Sequence, residues 1–78
     1  MPEITHEIKK HFGVLSENER GWRKEVNYVS WNDKEPKVEI RDWSDDYSKL
    51  GKGVTFTAEE LTNLKQILDS IDLDNLDQ

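Results

Sequence analysis

The fold of this chain is decided by the stretch Lys37-Val38-Glu39-Ile40-Arg41-Asp42-Trp43, in which polar and apolar residues alternate. Successive side chains of a β-strand point to opposite faces, so Val38 and Ile40 would share one face, and Arg41 and Trp43 the other. Cations bind phosphates, and a flat indole ring offers any base a surface to stack on. The alternation therefore predicts a strand with one apolar face and one face suited to single-stranded nucleic acid.

The neighbouring sequence predicts three more strands and one helix. The strands are expected at roughly Glu7–Ser16, Trp22–Trp31 and Gly51–Phe56, with a candidate bulge at Gly13 and polar turns between them. Short connections favour antiparallel neighbours, and an antiparallel sheet can leave one face in solvent. The predicted fold class is α+β: a four-stranded antiparallel β-meander followed by one C-terminal helix, in the order β-β-β-β-α.

The C-terminal helix has the clearest sequence signal. Its apolar residues repeat at alternating steps of three and four, which places on one stripe Leu61, Leu64, Leu68 and Ile71. Thr57 and Glu60 have the spacing of a capping box, so the helix is predicted to begin at residue 58. We expect the stripe to cover the apolar face of the sheet. Acidic residues at the far end oppose the helix dipole, so residues 72–78 are expected to fray as an acidic tail.

Size and composition limit what the chain can be. With 78 residues, no cysteine and 33% hydrophobic residues, we expect one small domain over residues 1–78, with a marginal core and no disulfide. Pairing with a second copy would bury more apolar surface, so we expect a homodimer. The sequence has neither a long apolar run nor a signal-peptide pattern, which predicts a cytoplasmic protein without a membrane partner.

The net charge of −6 disfavours a nucleic-acid partner at first, because phosphate binding usually leaves a basic footprint. The charge is distributed unevenly, however, since residues 1–56 have a net charge of −1 and residues 57–78 one of −5. If the helix lies behind the sheet, its negative charge faces away from a locally basic front. A negative total is then compatible with DNA binding.

Patterns for catalysis and metal binding are weak. His6 and His11 are five residues apart, so in a strand their rings would project to opposite faces and could not share a metal ion. The chain has no cysteine nucleophile and no Gly-x-Ser-x-Gly motif, and Gly51-Lys52-Gly53 lacks the spacing of a phosphate-binding loop. The sequence predicts a non-enzymatic protein with no cofactor and no metal.

The candidate nucleic-acid-binding residues are the tryptophans and the cations of the predicted sheet. Trp43 is expected to be exposed, because it alternates with cations and adjoins a polar loop. Whether Trp22 and Trp31 lie at the surface or in the core stays open. Glu25 and Glu39 count against the interpretation, because they place negative charge where a phosphate would pass. The predicted set is Trp22, Arg23, Lys24, Trp31, Lys37, Arg41, Trp43, Lys49 and Lys52.

Three short motifs carry a family resemblance. They are Ile40-Arg41-x-Trp43, then Gly51-Lys52-Gly53-Val54-x-Phe56, then a helix that opens with Thr57-Ala58-Glu59-Glu60. Together they resemble the positive cofactor 4 family of single-stranded-DNA-binding transcriptional coactivators. The run from Gly21 to Asp33 is closer still to the bacterial YdbC-like branch of that family. The similarity spans about residues 7–71.

The resemblance implies a homodimer in which each subunit contributes a strongly curved four-stranded antiparallel sheet and one helix. Single-stranded DNA would lie across the concave faces, with Arg41 and Lys52 at phosphates and Trp43 near the stacking surface. The chain departs from the family pattern where Gly51 occupies the place of a family cation and Lys49 is displaced upstream.

Two functions of different classes follow. The first is binding of single-stranded DNA with little sequence preference, in support of transcription, replication or repair. RNA stays open within this hypothesis, because stacking and phosphate contacts do not distinguish the sugar. The second is an acidic protein-interaction module or DNA mimic that binds no nucleic acid, which the net charge and the Asp-bearing helix favour.

Overall fold

Four strands form one open antiparallel sheet, and a helix follows them. The structure is a computed structural model and describes residues 4–76. The strands lie in the sheet in chain order and are β1 (His6–Glu17), β2 (Arg23–Trp31), β3 (Lys37–Trp43) and β4 (Leu50–Phe56). The helix α1 (Ala58–Ser70) is followed by a 3₁₀ helix at Leu73–Asn75. The predicted α+β meander is confirmed, and each strand boundary falls within one residue of its prediction.

The register of β2 against β3 assigns side chains to two faces. Arg23 pairs with Trp43, and Glu25 pairs with Arg41. Because side chains alternate, odd-numbered residues of both strands share what we call the front face: Arg23, Glu25, Asn27, Val29, Trp31, Lys37, Glu39, Arg41 and Trp43. The opposite face, the back face, carries Val26, Tyr28, Val38 and Ile40. The predicted separation of the apolar residues of β3 from Arg41 and Trp43 is confirmed.

Strand β1 is irregular. Its pairing with β2 shifts between Ile8 and Lys10, between His11 and Gly13, and between Val14 and Ser16. Each shift leaves an extra residue unpaired, which bends the strand and increases its twist. The bulge beside Gly13 was predicted, whereas the other two were not.

The first of these bulges changes the face on which one histidine lies. His6 pairs with Trp31 and His11 pairs with Asn27, so both histidines lie on the front face. The prediction that their rings lie on opposite faces is therefore wrong, because it assumed a regular strand.

The sheet curls toward the front face. His6 pairs with one end of β2, and Trp43 pairs with the other end, eight residues away. In a straight strand these positions would be about 26 Å apart, yet the rings of His6 and Trp43 have centroids only 5.1 Å apart. The two side chains are too short to bridge that length, so the strand ends must bend toward each other. The front face is therefore concave.

The buried side chains of the described residues lie mainly on this front face. Trp43 is 0% exposed and Val29 is 1% exposed, and the polar residues Glu25, Asn27 and Glu39 are also fully buried. The prediction that Trp43 is exposed is wrong. The indole lies on the predicted face, but the curvature closes the sheet around it.

Helix α1 starts at its predicted capping box. The Thr57 hydroxyl accepts a hydrogen bond from the Glu60 backbone N–H at 3.1 Å, and the Glu60 carboxylate accepts one from the Thr57 N–H at 2.8 Å. No side chain of α1 is buried, however, and Leu68 remains 50% exposed. The expectation that the helix covers the sheet is therefore wrong.

The position of α1 explains its exposure. Its first turn, at Ala58 and Leu61, lines a groove with back-face residues, namely Tyr28, Val38 and Phe56. The rest of the helix extends away from the strands, and the radius of gyration is 14.5 Å. A compact chain of this length would have about 11.5 Å. The apolar stripe of the helix and much of the back face are consequently open.

The predicted acidic tail begins beyond α1. Asp72 caps the 3₁₀ helix, where its carboxylate accepts hydrogen bonds from the Asp74 N–H and from the Asn75 amide. Residues 77–78 of that tail lie outside the described residues. Between residues 4 and 76, neither helix is long and apolar enough to cross a membrane.

Candidate functional site

The front face holds two arginines in a repeated arrangement. Arg23 Nε donates to the Glu25 carboxylate at 2.9 Å, and the Tyr47 hydroxyl donates to the same carboxylate at 2.8 Å. The Arg23 guanidinium also lies over the Tyr47 ring, 5.1 Å from its centroid. Each of the three side chains therefore contacts the other two, and we call the group the Arg23 triad.

Arg41, Glu39 and Trp31 form the second group, the Arg41 triad. Arg41 Nε and Trp31 Nε1 donate to different oxygens of the Glu39 carboxylate. The Arg41 guanidinium lies over the Trp31 ring, 4.8 Å from its centroid. Arg41 Nη1 also donates to the Gly51 carbonyl at 2.9 Å. In both triads one buried carboxylate fixes a cation and an aromatic ring.

Hydrogen bonds and ion pairs stabilise the negative charges of the buried carboxylates. Burial raises the pKa of Glu25, but hydrogen bonds from Asn27, Tyr47 and Arg23 outweigh it and leave this pKa below its usual value. The same network raises the pKa of Arg23 through its bond to Glu25, and burial raises the pKa of Tyr47. Glu25 is thus ionised at neutral pH while both donors keep their protons. The sequence-based objection that Glu25 and Glu39 would repel phosphate is weakened, because each is paired with an arginine.

A row of rings joins the two triads. The successive centroid distances are 5.3 Å from Trp31 to His6, 5.1 Å from His6 to Trp43, and 5.7 Å from Trp43 to Tyr47. Trp43 lies inside the row, between the two triads. It is fully buried, so no part of its ring is free to stack on a base. Trp31 and Tyr47, at the two ends, are partly exposed.

Tyr47 reaches the front face because the loop between β3 and β4 folds tightly. The Asp46 carboxylate accepts hydrogen bonds from the Ser44 hydroxyl and from both the N–H and the hydroxyl of Ser48. These bonds lower the pKa of Asp46 to about 2. Tyr47 itself has a φ of +62°, which is uncommon outside glycine. Sequence reasoning treated this loop as a plain connection and missed Tyr47, although Asp-x-Ser is a turn-forming pattern.

Gly53 makes room for Arg41. A Cβ built at Gly53 would lie 2.7 Å from Arg41 Cζ and 2.8 Å from Arg41 Nε, which is closer than real Cβ contacts. The Arg41 side chain therefore lies flat across β4 at a position that only glycine leaves open. Gly51 similarly adjoins the Trp22 ring, which would be 3.4 Å from a Cβ at that position.

The predicted site residues divide into two groups. The register brings five of them together on the front face, namely Arg23, Trp31, Lys37, Arg41 and Trp43. Lys24 pairs with Asp42 and so projects from the back face, and the Trp22 ring lies beside Gly51. Lys52 adjoins Gly53 and by alternation projects away from Arg41, and Lys49 is exposed in the loop after β3.

Sequence reasoning also missed the polar network behind the arginines. His11 Nδ1 lies 2.7 Å from the Asn27 amide oxygen, and the Asn27 amide nitrogen donates to Glu25 at 3.1 Å. A signal was present, because residues two apart in a strand share a face. The spacings Arg23-x-Glu25 and Glu39-x-Arg41 therefore predict ion pairs within a strand. Among the residues that the structure describes, no group of three or more His, Cys, Asp or Glu could hold a metal ion.

Comparisons with known proteins point to one family. Residues 18–67 match the family model described as Transcriptional Coactivator p15 (PC4). The chain is also 44% identical over 72 residues to an uncharacterized protein of Treponema pallidum (strain Nichols), an alignment that covers 92% of this chain and 85% of that protein. The region matched by the family model contains all six residues of the two triads.

The Asp46 turn predicts a specific acid sensitivity. Its pKa in the folded chain, about 2, lies below the ordinary value of 3.8. A depressed pKa stabilises the fold above the ordinary value, and this stabilisation is lost as the pH falls toward 2. Urea denaturation followed by tryptophan fluorescence should show Asp46→Asn less stable than the parent chain at pH 6. The difference should shrink steadily between pH 4 and pH 2, whereas a difference that stays constant would contradict this role of Asp46.

Proposed function

The chain belongs to the Transcriptional Coactivator p15 (PC4) family, which is known for single-stranded DNA binding, and we propose that this chain binds single-stranded DNA with little sequence preference. The observation that carries the proposal is the concave front face, where two arginines each stack on an aromatic ring. Guanidinium groups bind phosphates, and exposed parts of aromatic rings stack on bases.

The polar groups of the front face support weak base preference. Reading a base edge requires free donors and acceptors such as a side-chain amide. The amide of Asn27 is fully buried and is already bonded to His11 and Glu25. Cations and rings remain available at the surface, and these contact every nucleotide in a similar way.

The acidic total charge is compatible with this function. Much of the negative charge belongs to α1 and the segment after it, including Asp69, Asp72 and Asp74. These residues come after the last strand in the chain and are not part of the front face. The same acidic segment supports the alternative of a protein-interaction module or DNA mimic. That alternative predicts capture of a basic protein and no binding of oligonucleotides.

A titration with fluorescent oligo-dT at two salt concentrations tests the proposal. Affinity should fall as salt rises, because phosphate binding releases counterions. Arg41→Gln should weaken binding of all sequences alike and reduce the salt slope by about 1. Lys65→Gln, which removes an equal charge from α1, serves as the matched control and should bind like the parent chain. Circular dichroism checks that both variants fold, and absence of binding by the parent chain at low salt would reject the function.

We also propose that the binding unit is a homodimer paired through its apolar surfaces. Leu68, Ile67 and Val54 are each half exposed, and the groove between Tyr28 and Leu61 is open. Monomeric proteins rarely leave such contiguous apolar surface in water. A second copy is the simplest occupant, because in a two-fold dimer the same patch covers itself.

The dimer proposal predicts the effect of a charge on the helix stripe. Sedimentation velocity should give twice the chain mass for the parent protein and the single chain mass for Leu68→Glu, because a carboxylate would be desolvated in the interface. Gln66→Glu adds the same charge to an exposed polar position of α1 and should remain dimeric. A parent chain that sediments as a monomer at tens of micromolar would overturn the proposal.

We propose that binding serves transcription, replication or repair in the cytoplasm, since separated DNA strands arise in all three processes. Binding of RNA is tested by the same titration with oligo-U, because the proposed contacts involve phosphates and base faces. Membership of the YdbC-like branch stays a prediction from the motifs of β2.

A further inference from the structure

We propose that Glu25 and Glu39 are positioning residues for DNA, which hold the two arginines and their partner rings in the geometry that receives a strand. This inference rests on the proposed function and concerns the same front face. Both carboxylates are fully buried, so neither is available to contact DNA directly. They act through the side chains that they bind.

A carboxylate and a backbone carbonyl together hold each arginine and leave one of its terminal nitrogens unbonded. In the Arg41 triad, Nε is bonded to Glu39 and Nη1 to the Gly51 carbonyl. In the Arg23 triad, Nε is bonded to Glu25 and Nη2 to the Asp45 carbonyl at 3.3 Å. Within residues 4–76, Nη2 of Arg41 and Nη1 of Arg23 have no hydrogen-bond partner. Each triad thus leaves one terminal guanidinium nitrogen, with its two N–H groups, to donate to a phosphate oxygen.

The same carboxylates fix the aromatic rings. Glu39 accepts from the indole N–H of Trp31, and Glu25 accepts from the hydroxyl of Tyr47. A guanidinium also lies over each ring, Arg23 over Tyr47 and Arg41 over Trp31, so the orientation of both rings is fixed before any ligand binds. Ordering a long side chain during binding lowers affinity, and a site that is already ordered avoids this loss.

The triads are neighbours that can act on one strand. Glu25 lies directly opposite Arg41 in the register of β2 and β3, so the two ion pairs occupy adjacent positions on the sheet. The row of rings through His6 and Trp43 connects Trp31 to Tyr47. We therefore assign the two triads to nearby phosphates of the same DNA strand.

Charge and positioning predict opposite effects for the same substitution. Two negative charges beneath a DNA-binding surface reduce its positive potential, so a purely Coulombic account predicts that neutralising Glu39 tightens binding. The positioning account predicts weaker binding, because Arg41 and Trp31 lose the acceptor that orients both of them. Glu39→Gln separates the accounts, since glutamine has nearly the same shape and no charge.

The experiment measures oligo-dT affinity and its salt slope for Glu39→Gln, alone and combined with Arg41→Gln. Alone, the substitution should weaken binding by about 3- to 30-fold and reduce the salt slope by about 1, as for a lost phosphate contact. In the Arg41→Gln background, Glu39→Gln should change affinity by less than about twofold, because the guanidinium that Glu39 orients is no longer present. Glu19→Gln, an equal charge change in the turn after β1, is the control and should bind like the parent chain.

Tighter binding by Glu39→Gln, or an equal loss with and without Arg41, would overturn the inference. If the parent chain itself fails to bind oligo-dT, the proposed function fails instead, so the two failures are distinguishable. Should Glu39→Gln not fold, Arg41→Lys supplies the second test, because it keeps the charge and loses the planar group that Glu39 orients. Parent-like affinity of folded Arg41→Lys would then overturn the inference.

Discussion

Pairing of two buried carboxylates with two arginines is the interaction on which the front face depends. Glu25 and Glu39 are fully buried, and a buried charge without a partner would be strongly destabilising. Each carboxylate is paired with an arginine two residues away on its own strand, so the local sequence supplies the partner that a buried charge needs. The same carboxylates bind Tyr47 and Trp31, and the rings continue through Trp43. A polar and aromatic network, rather than an aliphatic core, therefore fills the concave side of the sheet.

Strict alternation along β2 and β3 divides the small chain into two surfaces with different chemistry. The front face is internally bonded and ordered, and it presents cations and ring surfaces. The back face and α1 leave aliphatic side chains exposed, including Val54 and Leu68. In the proposed function, the first surface binds DNA and the other binds a second copy of the chain. Neither surface competes with the other, because they lie on opposite sides of one sheet.

Features set by short-range patterns could be predicted from the sequence. The strand Lys37–Trp43 follows from alternation, and the start of α1 from Thr57 and Glu60, because these signals act over a few residues. The burial of Trp43 could not be predicted in this way. It depends on the curvature of the sheet, which places His6 of β1 beside Trp43 of β3 and to which the bulges in β1 contribute. The position of Tyr47 likewise depends on a loop conformation with positive φ. The ion pairs of Glu25 and Glu39 could be predicted from their spacing, but the two glutamates were interpreted as charges that oppose phosphate binding.

The most direct test of this account is an NMR titration of the ¹⁵N-labelled protein with oligo-dT. The account predicts that the Trp31 indole N–H and the Nε–H signals of Arg23 and Arg41 shift in step with binding. The backbone amide signals of α1, which lies on the back-face side of the sheet, should change little in the same titration. Shifts confined to α1, with the Trp31 and arginine signals unchanged at saturation, would contradict the assignment of the front face to DNA.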